Sequence, residues 1–124
     1  MQIRFVIAFF AEAKKRKIHT WLDTSGVTFQ PDNQEDRIKF KRLAEVTDLV
    51  LLDIKHIDPE EHIKLTSQPN NNILAFARYL DEKQVPVWIR HVIVPGITYE
   101  QTALYQLGQF LGTLHNVKAL DILP

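Results

Sequence analysis

The sequence predicts an α/β fold, a parallel sheet of about four strands with crossover helices. Strand-like apolar runs alternate with segments of helical spacing along the chain, which calls for right-handed crossovers. One of those runs, Val46–Ile54 (VTDLVLLDI), is almost continuously apolar and rich in β-branched residues, as a strand buried on both faces should be.

Phe5, Ile7, Ala8, Phe9, Ala11, Glu12, Lys14, Lys15 and Arg16 predict an amphipathic helix whose basic last turn suits the helix dipole. Ile18–Leu22 reads as a short strand, closed by Asp23-Thr24-Ser25-Gly26 as a turn. A polar stretch through Pro31-Asp32-Asn33 leads to a helix over residues 35–45, and Val46–Ile54 is the second strand. Asp58-Pro59-Glu60-Glu61 starts a helix, with Asp at the cap, Pro in the first turn and acids at the positive end. Asn70-Asn71-Asn72 supplies another cap before Ile73, Leu74, Phe76, Ala77 and Leu80, which have helical spacing. Val85–Ile89 with Val92–Val94 is a third strand, stopped by Pro95-Gly96; Thr98 caps a helix over 99–114, and Val117–Leu123 is the fourth strand.

The 124 residues make one domain with room for a real core. The hydrophobic share of 45% and charged share of 24% are those of an ordinary soluble protein. Lys plus Arg and Asp plus Glu both number 15, so electrostatics argue against nucleic acid or an anionic membrane as partner. No apolar run approaches the ~18 residues of a membrane helix. The N-terminus lacks the features of a cleaved leader, and a cytoplasmic location is expected. There is no cysteine, which excludes disulfides, thiol nucleophiles and any iron–sulfur cluster held by these residues' own thiolates.

The order opens on a helix that should follow a strand and closes directly after one. Residues 1–124 are therefore expected to form a single incomplete domain, with its first strand unpaired on one edge and prone to self-association.

Parallel α/β folds bind ligands at the carboxyl ends of their strands. Those ends carry Asp23-Thr24-Ser25-Gly26, Asp53-Ile54-Lys55, Arg90-His91-Val92 and Asp121 to Pro124. Two carboxylates, a lysine and an arginine should converge on one rim, suited to a zwitterionic ligand. Asp23 and Asp53 together could hold a hard cation. Plainer readings stand beside these. Asp23 can serve its own turn, Asp53 can pair with Lys55 two residues along the same face, and Arg90 can be a structural ion-pair partner. The histidines at 19, 56, 62, 91 and 115 have no metal-ligand spacing and read as filler, Trp21 and Trp88 read as core, and Lys14 to Lys17 form a solvated helix end far from the rim.

Three segments, Ile18–Gly26 (IHTWLDTSG), Val46–Lys55 (VTDLVLLDIK) and Val87–Gly96 (VWIRHVIVPG), together with the Ala75–Leu80 helix and the final Leu123-Pro124, carry a family likeness. In order and spacing they resemble the pyruvate formate-lyase activating enzymes, radical S-adenosylmethionine enzymes that act on glycyl radical enzymes. The resemblance implies a partial (β/α)6 barrel. It implies a [4Fe–4S] cluster on a CxxxCxxC loop, and reductive cleavage of S-adenosylmethionine to a 5′-deoxyadenosyl radical that makes a glycyl radical on pyruvate formate-lyase. By the same resemblance Asp53, Ile54, Lys55, Arg90 and Val92 contact S-adenosylmethionine. Asp23, Thr24, Asp53 and the carbonyl of Leu51 surround a monovalent cation. The cysteine loop and the Gly-Gly-Glu motif of that family would lie before Met1, and a histidine contact after Pro124. Lys17 and Ser67 stand where the family usually has glycine. Without thiolates no cluster forms, so these residues alone are expected to be catalytically inactive. The alternative of a different class is a non-redox α/β domain that binds a small zwitterion.

Overall fold

The computed structural model describes all 124 residues. Its elements run α1 (Ile3–Lys15), β1 (Trp21–Thr24), α2 (Gln34–Glu45), β2 (Leu49–Asp53), α3 (Pro59–Thr66), α4 (Asn71–Glu82), β3 (Val87–Val92), α5 (Gln101–Gly112) and β4 (Val117–Leu123). The four strands form one sheet in the order β1-β2-β3-β4, and every neighbouring pair is parallel. This is the predicted α/β sheet with crossover helices.

Alternation along the strands divides the sheet into two unlike faces. Leu22, Val50, Leu52, Val87 and Ile89 point to one side and are buried. They pack against Phe40 and Leu43 of α2, Ile73, Phe76 and Leu80 of α4, and Leu107 of α5. Phe29 joins this core from the β1–α2 connection, with its ring centroid 5.0 Å from that of Phe40 and 5.4 Å from that of Phe76. Gly26 (φ +73°) lets the chain pass here, since a Cβ at this position would stand 2.5 Å from Phe76 Cδ1. The other face, bearing Trp21, Asp23, Asp53, Trp88 and Arg90, has no helix over it.

Trp21 and Trp88, expected in the core, lie on that uncovered face, 52% and 39% exposed. They shelter each other edge to face, ring centroids 5.7 Å apart, above the buried Leu51. The apolar character of a strand residue does not reveal which face is covered.

The first strand begins at Trp21, three residues beyond the expected Ile18, because Ile18 finishes the helix. Its N–H donates to the Ala13 carbonyl at 2.9 Å while Lys17 takes a left-handed φ of 58°. The strand then runs on through Asp23 and Thr24, which were expected in a turn. The second strand is shorter than expected at both ends, since Val46 and Thr47 close α2 and Ile54 leaves the ladder. Lys14 is not merely solvated: its ammonium lies 2.6 Å from Asp48 Oδ1 and ties α1 to the entry of β2.

Asp58 caps α3 as predicted, accepting from the N–H groups of Glu60 and Glu61. Asn70 makes no side-chain cap on α4. Thr98 does not cap α5; Glu100 does, while the Thr98 hydroxyl donates to the Val92 carbonyl at 2.7 Å. The third strand runs from Val87 to Val92, starting two residues later and ending two residues earlier than expected. Against it, β4 carries one surplus residue: Val87 pairs with Val117 but Trp88 with Ala119, so Lys118 bulges out. Beyond the bulge Arg90 stands opposite Asp121.

Candidate functional site

The β2–β3–β4 register sets Asp53, Arg90 and Asp121 in one row across three strands on the uncovered face. Asp23 lies one row toward the amino ends, beside Leu51 and Trp88. Cα partners in parallel strands share a face, so this placement follows from register and alternation alone. Asp23, Asp53, Lys55 and Arg90 thus come together on one lip, as the sequence predicts.

Arg90 is the centre of the group. Its Nε donates to Asp53 Oδ1 at 2.5 Å and its Nη2 to Asp53 Oδ2 at 2.8 Å. The same Nη2 reaches Asp23 Oδ1 at 3.3 Å. Lys55 Nζ adds a bond to Asp53 Oδ2 at 3.2 Å. The Asp53 side chain is only 13% exposed. Burial pushes its carboxyl up, but the hydrogen bonds from Arg90 and Lys55 outweigh burial and hold it below its ordinary value of 3.8. The Asp53 hydrogen bonds in turn push the Arg90 guanidinium up. Asp53 is therefore a fixed anion at neutral pH, and the Arg90 guanidinium lies between it and Asp23.

The other candidates fall differently. Val92 continues the Arg90 side of β3 and pairs with Leu123 at the strand end. The Ile54 side chain is 1% exposed and lies in the core. Its main chain is engaged too, N–H to the Arg90 carbonyl at 3.1 Å and carbonyl to His91 Nδ1 at 2.7 Å. Thr24 Oγ1 accepts from the Gly26 N–H at 3.1 Å. Leu51 sits mid-ladder between Asp23 and Trp88. No group of three or more His, Cys, Asp or Glu side chains is arranged to hold a metal.

Of the histidines read as filler, His56, His62 and His91 are buried, and Asn70 is buried with them. His91 and Asn70 both bond the chain leaving β2. Sequence reasoning missed this, since one sequence carries no signal for which polar side chain finds a distant carbonyl.

The rim lies along an open sheet face rather than in a pocket. The concavity of about 480 Å³ between α1 and α2, lined by Arg4, Ile7, Glu35, Ile38, Lys39 and Arg42, contains none of its residues. No helix is long and apolar enough to cross a membrane.

Comparison with known proteins gives this geometry a family. The pyruvate formate-lyase-activating enzyme of Streptococcus mutans is 48% identical over all 124 residues, which span 47% of that enzyme. The Staphylococcus aureus enzyme of the same name is 47% identical, with 49% of its length spanned. The chain thus spans about half the length of these curated relatives. Among solved structures, a domain of the pyruvate-formate lyase-activating enzyme from Bacteroides vulgatus superposes with a TM-score of 0.83. That match covers 98% of this chain and 72% of the other at 23% identity, so it speaks for the fold. The Radical SAM superfamily model matches residues 1–107, and the chain belongs to that superfamily.

Proposed function

We propose that these residues are the S-adenosylmethionine-facing sheet of a pyruvate formate-lyase activating enzyme, the remainder of whose barrel is supplied by further chain. The observation that carries this reading is the lip itself. Asp53 is gripped by Arg90 and Lys55 at adjoining strand ends, in a sequence 48% identical to enzymes of that name. Whole-enzyme activity, the glycyl radical on pyruvate formate-lyase and a cytoplasmic setting belong to the same proposal.

The donor set fits the amino acid end of the ligand. Lys55 and Arg90 offer N–H donors for its carboxylate, and Asp53 orients both cations from below. Val92 lines the approach, and Ile54 contributes through the path of its main chain. A monovalent cation between Asp23, Thr24, Asp53 and the Leu51 carbonyl would require Arg90 to give up its contact with Asp23. S-adenosylmethionine, when bound, would bring a sulfonium whose carbon–sulfur bond is open to cleavage by one electron delivered from outside these residues. A [4Fe–4S] cluster does not fit these residues, which include no cysteine, and no step of the site's own chemistry runs through one. The 124 residues alone therefore bind and orient without catalysing.

An NMR titration of the chain with S-adenosylmethionine tests this. Binding is expected to be saturable but weaker than micromolar, since much of the ligand would stay uncovered. Asp53→Asn and Lys55→Ala should each weaken it further, by about tenfold. Tight binding indifferent to both substitutions would instead favour the purpose-built binder of a small zwitterion.

A further inference from the structure

Strand β2 ends at Asp53, and the chain then crosses to α3 at Pro59. A chain leaving a ladder turns carbonyls away from their strand partners, and buried carbonyls need new ones. Here three are held by side chains from elsewhere in the fold. His91 Nδ1 donates to the Ile54 carbonyl at 2.7 Å. Asn70 Nδ2 donates to the carbonyls of His56 at 3.1 Å and Ile57 at 2.8 Å. Both side chains are 3% exposed. Asn70 stands immediately before α4 and would ordinarily cap it, yet its side chain turns to the loop instead.

We infer that Asn70, assisted by His91, is a positioning residue that fixes the aim of Asp53 and Lys55 toward the adenosyl-sulfonium ligand. This rests on the function proposed above. Lys55 is the residue between the two clamps, with the Ile54 carbonyl held on one side and the His56 carbonyl on the other. Its backbone is thus flanked by two held carbonyls, and its ammonium lies 3.2 Å from Asp53 Oδ2. Binding is strengthened when the groups that meet a ligand are ordered beforehand. A primary amide is the right group for the task, since its NH₂ offers two N–H donors and no charge.

The fold contains its own control. Asn116, also buried, donates Nδ2 to the Val85 carbonyl at 2.8 Å at the amino end of the sheet, away from the rim. Asn70→Ala and Asn116→Ala both remove a buried side-chain-to-carbonyl clamp. A purely architectural role for Asn70 predicts that the two variants behave alike.

The test follows the Arg90 Nε–H resonance and the S-adenosylmethionine titration in wild type, both variants and Asp53→Asn. Both alanine variants should lower the thermal midpoint. Only Asn70→Ala should speed hydrogen exchange at Arg90 Nε–H and weaken ligand binding by about tenfold. Wild-type affinity and exchange in Asn70→Ala, or equal changes in Asn116→Ala, would overturn the inference. If Asn70→Ala does not fold, His91→Phe and His91→Gln decide the question. Gln keeps a donor for the Ile54 carbonyl and should retain the affinity that Phe loses, and equal affinities would overturn the inference. If Asp53→Asn binds as wild type does, the functional reading fails, and the Arg90 Nε–H exchange alone decides whether Asn70 orders the rim.

Discussion

Arg90 and Asp53 face each other across the β2–β3 ladder, and the guanidinium fork closes on both carboxylate oxygens. Parallel N–H donors in a rigid plane are what distinguish arginine from lysine. The pair therefore does more than neutralise charge: it fixes the plane of the Asp53 carboxylate relative to the sheet.

Removing that fork should be visible in the carboxylate. Burial raises the Asp53 pKa, and the Arg90 hydrogen bond is the largest effect opposing it. In Arg90→Ala only Lys55 remains to oppose burial, so the midpoint should move upward. Arg90→Lys should fall between the two. Carbon-13 NMR of the Asp53 carboxyl across acid pH reads this directly, and an unmoved midpoint would mean that the pair matters little to the carboxylate.

Acid should destabilise the fold in a narrow window. The Lys14 hydrogen bond and the Thr20 N–H hold Asp48 below 3.8, and the His115 N–H does the same for Asp81. Hydrogen bonds from the Thr102 and Ala103 N–H groups hold Glu100 below 4.5. A carboxyl with a lowered folded pKa adds stability that is complete above its unfolded pKa and lost as pH falls through the folded one. Urea midpoints should therefore be level from about pH 7 to pH 5 and decline below about pH 4. Asp48→Asn should start lower and decline less steeply.

Lys17 and Ser67 sit at left-handed backbone positions. They end α1 and α3 with φ values of 58° and 60°. Side chains with a Cβ are strained there, whereas glycine is not. Lys17→Gly and Ser67→Gly should each stabilise the chain by roughly 0.5–1 kcal/mol, readable as a raised calorimetric midpoint. A loss of stability in either would show that the entropy of the unfolded chain dominates at that position.

The uncovered face should drive association. Trp21 and Trp88 present apolar area beside β1, a strand paired on one side only. Sedimentation should show weight-average mass rising with concentration, and a hydrophobic dye should bind. Trp21→Ser with Trp88→Ser should reduce both. A sharp monomer at every concentration, with no dye bound, would count against this.

Element type and order were readable because Val50-Leu51-Leu52 fits a strand buried on both faces and Asp58-Pro59-Glu60-Glu61 has the cap, proline and acids of a helix start. The lip was readable because strand ends converge in any parallel sheet, whichever residues fill them. Boundaries were not. Whether Ile18 closes a helix or opens a strand depends on the conformation of Lys17, and local sequence favours neither. The two tryptophans were misplaced because one strand says nothing about what covers each face. Asn70 reads as a helix cap in the sequence because its actual partners, the carbonyls of His56 and Ile57, are fixed by tertiary contact rather than spacing.

The bulge at Lys118 gives the fourth strand one residue of slack. Losing Lys118 would leave Val117 opposite Val87 and Asp121 opposite Arg90, with the ladder made regular. A single-codon deletion at that point, which in most sheets would reverse every later side chain, should pass here almost unnoticed by the binding lip.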